Sequence, residues 1–209
     1  MNALLLIDIQ YDFLQGGALA VPNANEILPV LQKLFPKFNL IFASQDFHPA
    51  DHRSFASQHQ GKQIGEVINL DGLPQVLWPD HCVQGTAGVE LHSDLPTDKF
   101  TAVVQKGQDV KVDSYSAFFD NGHRHATGLD QELKENGVTK LFVAGLATDY
   151  CVKFSVLDAL KLGYEVVLIA DAVRAVNLDA KDGERSIEEM KSKGASIILS
   201  ELLINEKML

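Results

Sequence analysis

Apolar runs alternate along this chain with segments whose apolar positions recur at helical spacing. Residues 3–9 form an apolar run that meets an acid at Asp8, the pattern of a strand covered on both faces. Residues 25–35 are apolar at helical spacing with an early interruption at Pro29, and 38–44 and 100–105 read as the second and third strands. Residues 128–136 predict a helix that stops at Gly137, a natural C-cap. A fourth strand at 139–144 leads into a helix that carries Cys151 and ends near Gly163. Residues 164–170 predict the fifth strand, 181–193 a polar-faced helix closed by Gly194, and 195–200 the sixth strand. Strand and helix in alternation with short connections predict an α/β fold, a mostly parallel sheet with helices on both faces.

Two segments break the rhythm, 45–99 and 107–127. The first holds Pro49, Pro74, Pro79 and Pro96, four of the seven prolines. Irregular stretches of that length are usually binding loops or lids. No repeat, low-complexity tract or linker divides residues 1–209, so one domain with long active-site loops is expected.

A formal charge of −10 argues against nucleic acid or an anionic membrane as a partner. Association of identical copies into a homo-oligomer is left open. Two distant cysteines, Cys82 and Cys151, offer no disulfide framework and point to a reducing cytoplasm. The opening segment lacks a basic region and a small-residue cleavage site, so it reads as a strand rather than a signal peptide.

Cys151 sits after a buried strand, in the first turn of a helix. Unpaired N–H groups and the helix dipole there favour a thiolate, which makes Cys151 a candidate nucleophile with a lowered pKa. A buried inert thiol is the alternative. Asp8, Asp46 and Lys106 follow three other strands, and in an open parallel sheet ligands bind outside the carboxyl ends of the strands. A lone Asp there is usually a cap and a lone Lys usually solvated. Four reactive side chains at one edge argue for a site.

The pieces IDIQYDFLQGGAL (7–19), SQDFHPADHRSFA (44–56), WPDHCVQGTAG (78–88), Lys106 and GLATDYCV (145–152) follow in order along the chain. In that combination the chain resembles, end to end, the nicotinamidases of the isochorismatase-like cysteine hydrolases. The resemblance implies a doubly wound six-stranded parallel sheet, an Asp8–Lys106–Cys151 triad and a bound divalent metal. Asp8 would accept the thiol proton and later deliver it to a departing amine, while Lys106 would steady carboxylate and thiolate.

The metal set is Asp46, His48 and His81, with His52 either a fourth ligand or a local hydrogen-bonding residue. Two imidazoles and a carboxylate suit Zn²⁺ first, then Fe²⁺ or Mn²⁺. The metal is expected to anchor a pyridine nitrogen. The resemblance also implies oxyanion donors at the amides of Ala147 and Cys151, a cis bond at Leu146–Ala147, and a ring-holding wall of Phe13, Leu19, Trp78 and Tyr115. Core packing is the alternative for each wall residue.

The expected reaction is hydrolysis of nicotinamide to nicotinate and ammonia, with pyrazinamide a further substrate. A carbamoyl or ureido amidohydrolase and a non-enzymatic metal- or ligand-binding module are the alternatives. His123 and His125 read as solvent-facing, Cys82 as packing, and His59 and His92 as without context. Gly16-Gly17 lacks a dinucleotide-binding frame.

Overall fold

The first strand, β1 (Asn2–Ile7), shows how the sheet is held. Leu4 and Leu6 enter one hydrophobic core and Ala3, Leu5 and Ile7 the other, all fully buried. Alternate residues of a strand point to opposite faces, so a run apolar throughout serves a sheet covered on both sides. Each fully buried leucine contributes roughly 1.5–3 kcal/mol. The computed structural model describes residues 1–205.

Five further strands complete the main sheet: β2 (Ile41–Asp46), β5 (Ala102–Lys106), β6 (Lys140–Leu146), β7 (Glu165–Arg174) and β8 (Ser196–Ile198). The order is β5-β2-β1-β6-β7-β8, and every pairing is parallel. Helices α1 (Leu28–Leu34) and α5 (Ser200–Asn205) bury Leu28, Leu31, Leu34 and Leu203 against one face. Helices α2 (Leu129–Glu135), α3 (Lys153–Lys161) and α4 (Asp182–Ser192) bury Leu129, Leu133, Val156, Ala159 and Met190 against the other. The chain winds outward in both directions from the β1/β6 pair. The crevice at the carboxyl ends of those two strands is therefore the expected ligand site.

Several boundaries differ from the sequence expectation. The helix expected over 25–35 is divided: a 3₁₀ turn (Ala24–Ile27) precedes α1, and Pro29 lies in the first turn, where a missing N–H breaks no bond. β2, β5 and β6 start one to three residues late and run one or two residues past their expected ends, to Asp46, Lys106 and Leu146. β7 continues to Arg174 because, after an irregularity, Val173 and Arg174 pair with Gly145 and Leu146. The sixth strand is only three residues, and its expected last residue, Ser200, opens α5. The 107–127 stretch holds neither helix nor strand. The 45–99 stretch does not stay irregular. It contains an antiparallel hairpin, β3 (Val67–Leu70) and β4 (Leu73–Val76), turned by Asp71-Gly72 at φ 49° and 92°.

Candidate active site

Asp8, Asp46, Lys106 and Cys151 converge at the carboxyl edge of the sheet. Asp8 directly follows β1, Asp46 and Lys106 are the last residues of neighbouring β2 and β5 and pair in register, and Cys151 lies in the turn after β6. Close approach of β6 to β1 requires glycine at 145, where a Cβ would lie 2.2 Å from the Ile7 carbonyl oxygen. Beyond β6 a single π-helical turn (Thr148–Val152) precedes α3, and it is this turn that presents Cys151. The Leu146–Ala147 peptide bond is cis, as the resemblance implies.

Lys106 is the hub. Its ammonium lies 2.6 Å from Asp46 Oδ1, 2.9 Å from Asp8 Oδ2, 2.8 Å from the Ser114 carbonyl and 3.4 Å from Cys151 Sγ. Asp8 Oδ1 accepts a hydrogen bond from Ser44 Oγ at 2.6 Å. Asp8 Oδ2 faces the ammonium as its ion-pair partner. Asp8, Asp46 and Cys151 offer ligand atoms within 4.8 Å of one another, so the Asp8 carboxylate lies beside the thiol.

The electrostatics correct one expectation. Cys151 does not have a lowered pKa: burial pushes the thiol well above its usual range, Lys106 pulls it down, and the Asp8 and Asp46 charges push it further up. A helix N-terminus favours a thiolate only where the sulfur is not also desolvated beside two carboxylates. Burial likewise raises Asp8, against the pull of Lys106 and with the push of Asp46. Burial opposes ionisation of Asp46 too, but Lys106, His48 and His81 hold its carboxyl below the usual range. Burial works to lower Lys106, yet Asp46 and Asp8 keep it raised and charged. The resting arrangement is a thiol beside an ammonium and a carboxylate made more basic.

Asp46, His48 and His81 form a second cluster sharing Asp46. Their ligand atoms lie within 4.8 Å of one another, with His48 Nε2 at 3.5 Å and His81 Nε2 at 3.8 Å from Asp46 Oδ2. The Nδ1 atoms sit 2.7 Å from the Gly107 and Pro79 carbonyls, contacts that place a ring proton on Nδ1 and turn Nε2 towards Asp46. Burial works to lower His48, but the Asp46 carboxylate keeps it raised. His48 Nε2 is buried without a partner. Burial and His48 push His81 down to about 4, so its imidazole is neutral at physiological pH. This donor set fits a divalent cation. Glycine at 107 is required, since a Cβ there would lie 2.4 Å from His48 Cε1.

His52 bonds locally, with Nδ1 2.7 Å from Ser54 Oγ. It groups with His48 and Asp113 rather than with the Asp46 set, and its Nε2 is unpartnered.

Beside both clusters lies a cavity lined by all four expected wall residues, Phe13, Leu19, Trp78 and Tyr115, together with His81, Ala147 and Cys151. Sequence reasoning missed three further linings: Asp113, Tyr150 and Val176. It also missed Gln75 of the hairpin, which is buried and donates to Asp113 Oδ2 at 3.0 Å and to the Tyr115 hydroxyl at 3.1 Å. Trp78 Nε1 donates to the same hydroxyl at 3.2 Å. A broader hollow of about 760 Å³ along the β5 edge contains none of the reactive side chains.

The residues set aside stay outside. His123 and His125 are largely exposed, each beside a carboxylate of its own, Asp158 and Asp120. Cys82 is buried in the core, at φ 47° rather than extended, and its N–H donates to Asp12 at 2.7 Å. His59 reaches the Arg53 carbonyl, and His92 packs on Tyr11. No described helix is long and apolar enough to cross a membrane.

A family model described as the isochorismatase domain matches residues 2–201. The nicotinamidase of Escherichia coli is 50% identical over 200 residues, covering 94% of this chain and 93% of its own. Among solved structures, the Acinetobacter baumanii nicotinamidase pyrazinamidase superposes with a TM-score of 0.93 at 41% identity, covering 97% of each chain. The Pyrococcus horikoshii pyrazinamidase, solved in complex with zinc, gives 0.76 at 38% identity, covering 95% of this chain and 98% of that one.

Proposed function

The chain belongs to the isochorismatase family, and we propose that it is a nicotinamidase, hydrolysing nicotinamide to nicotinate and ammonia in NAD salvage. The observation that carries this reading is the convergence of a thiol, a carboxylate and an ammonium at one wall of an aromatic-lined cavity, with two imidazoles and a second carboxylate beside it. Burial holds the Cys151 thiol above its usual range. Asp8, made more basic by the same burial, takes the thiol proton as sulfur attacks the carbonyl carbon. Lys106, 3.4 Å from Sγ, steadies the negative charge on sulfur and then on the carboxylate left behind. The amides of Ala147 and Cys151 are the oxyanion donors.

Collapse of the tetrahedral adduct expels the amino group, which leaves as ammonia with the proton from Asp8. Asp8 then takes a proton from the water that attacks the thioester and returns it to the departing sulfur, freeing the acid. Asp46, His48 and His81 would hold a divalent cation, zinc foremost and otherwise Fe²⁺ or Mn²⁺, which when bound would supply a Lewis-acidic anchor for the pyridine nitrogen. His52 supports that centre from its own bond to Ser54. Phe13, Leu19, Trp78 and Tyr115 hold the ring, which orients the carbonyl. Pyrazinamide offers a nitrogen at the same place and is a second substrate.

Ammonia release is the test. Nicotinamide should be hydrolysed, a carbamoyl or ureido compound should not, and a chelator should weaken nicotinamide turnover. Hydrolysis of the carbamoyl compound alone points to a related amidohydrolase, and turnover of neither points to a binding module.

A further inference from the structure

Val176 is the one cavity residue supplied by the loop that follows β7. That loop has no helix or strand between Arg174 and Asp182, and Asn177 and Leu178 within it are exposed. A wall residue on such a segment needs something to fix its depth. The structure supplies it from the nucleophile turn. Asp149, two residues before Cys151 and only 4% exposed, accepts the Val176 N–H on Oδ1 at 2.9 Å and the Asn177 N–H on Oδ2 at 2.8 Å.

A carboxylate holding two backbone N–H groups is charge-assisted and sets position on both. Asn177, at φ 55°, carries the tie onward, since its Oδ1 accepts the Gly183 N–H at 2.8 Å. Glycine is needed at 183, because a Cβ there would lie 2.6 Å from Ala175 Cβ. Cys151 and Val176 are thereby placed from one short turn.

We infer that Val176 sets the size of ring substituent the cavity accepts, and that Asp149 is the positioning residue that holds Val176 there. This rests on the aryl-amide hydrolase reading. Trp78 and Tyr115 contribute aromatic rings to the lining, whereas Leu19 and Val176 are branched and pack against the core cluster that contains Phe13. Shortening a branched aliphatic wall makes room at one edge of a ring without removing a stacking surface. Asp149 does not line the cavity, and both its carboxylate oxygens go to the Val176 loop, so its effect on the ring-size ratio passes through Val176.

The test uses nicotinamides carrying a single methyl at each free ring position, with ammonia release read as kcat/KM relative to nicotinamide. Val176→Ala should raise that ratio about tenfold or more for at least one methyl isomer. Asp149→Asn keeps the shape but turns one acceptor oxygen into a donor facing an N–H. It should raise the ratio for the same isomer, and the double variant should gain less than the product of the two single gains.

The same ratios are read as equilibrium binding to Cys151→Ala, so absence of ammonia release, which sinks the hydrolase reading, still leaves the size reading measurable. In the wild type, amide hydrogen exchange at Val176 and Asn177 should be about tenfold or more slower than at Leu178. That arm needs no variant to fold. Unchanged ratios for every isomer in Val176→Ala overturn the size role. Exchange at Val176 and Asn177 as fast as at Leu178, or an Asp149→Asn enzyme with wild-type ratios, overturns the role of Asp149.

Discussion

Lys106→Met removes the ammonium at the centre of the site and keeps an apolar stem of similar length. In the native protein that ammonium, with no side-chain exposure, faces two buried carboxylates at 2.6 and 2.9 Å, a carbonyl at 2.8 Å and the thiol at 3.4 Å. Without it, Asp8 and Asp46 face each other with no ammonium between them, Asp8 keeping its Ser44 bond and Asp46 its two imidazoles. Breaking a buried ion pair by deleting one partner costs about 3–5 kcal/mol. Part of that cost is recoverable by protonation. Asp8 already sits above the ordinary value of 3.8 through burial, and Lys106 is the main group lowering it, so the variant raises it further. A carboxyl whose folded value exceeds its unfolded value destabilises the fold above the folded value, and the penalty fades as pH falls towards 3.8. Uptake of one proton changes the free energy by up to about 1.4 kcal/mol per pH unit. Denaturant unfolding of both proteins at pH 7.5 and 5 is the assay. The stability gap should be several kcal/mol at pH 7.5 and narrow by at least about 1 kcal/mol at pH 5. A gap below about 1 kcal/mol at pH 7.5, or one that does not change with pH, would refute the buried ion-pair account.

Other outcomes follow from the same contacts. Ser44→Ala removes the 2.6 Å hydrogen bond that lowers Asp8, so the acid limb of the kcat/KM–pH profile, already above 3.8, should move up by about one unit; a stationary limb removes Asp8 as the base. Asp46→Ala should differ from His48→Ala and His81→Ala. All three should lose metal by direct metal analysis and bind nicotinamide more weakly, but only Asp46→Ala should shift the alkylation profile of Cys151 to lower pH, because the Asp46 charge helps hold the thiol up. Identical profiles in the three variants contradict the sharing of Asp46. Gly107→Ala forces a Cβ towards the His48 ring at a backbone φ of 68° and should lose metal affinity; wild-type affinity would show that the His48–Gly107 contact is not needed.

Much of this was legible in the sequence because strand ends are local. Asp8, Asp46, Lys106 and Cys151 each follow an apolar run, and a parallel sheet brings such positions to one edge whatever the loops do. The sulfur's ionisation was not legible. It depends on burial and on two carboxylates from other strands, neither of which lies near Cys151 in the chain. The hairpin had a signal that went unread: Asp71-Gly72 flanked by apolar residues is a two-residue turn, masked by Pro74 in the second strand. Val176 had none, since a valine in a loop looks like any other. The Asp149 contacts that seat it join residues 27 and 28 positions apart.

The central claim is a covalent nicotinoyl thioester on Cys151. Intact-mass measurement of enzyme quenched in acid during steady-state turnover of nicotinamide tests it directly. The account predicts a population heavier by one nicotinoyl group, mapped to Cys151 by peptide digestion, absent from Cys151→Ala and lost when substrate is exhausted. Undiminished ammonia release by Cys151→Ala, with no adduct on the wild-type enzyme at any quench time, would contradict it.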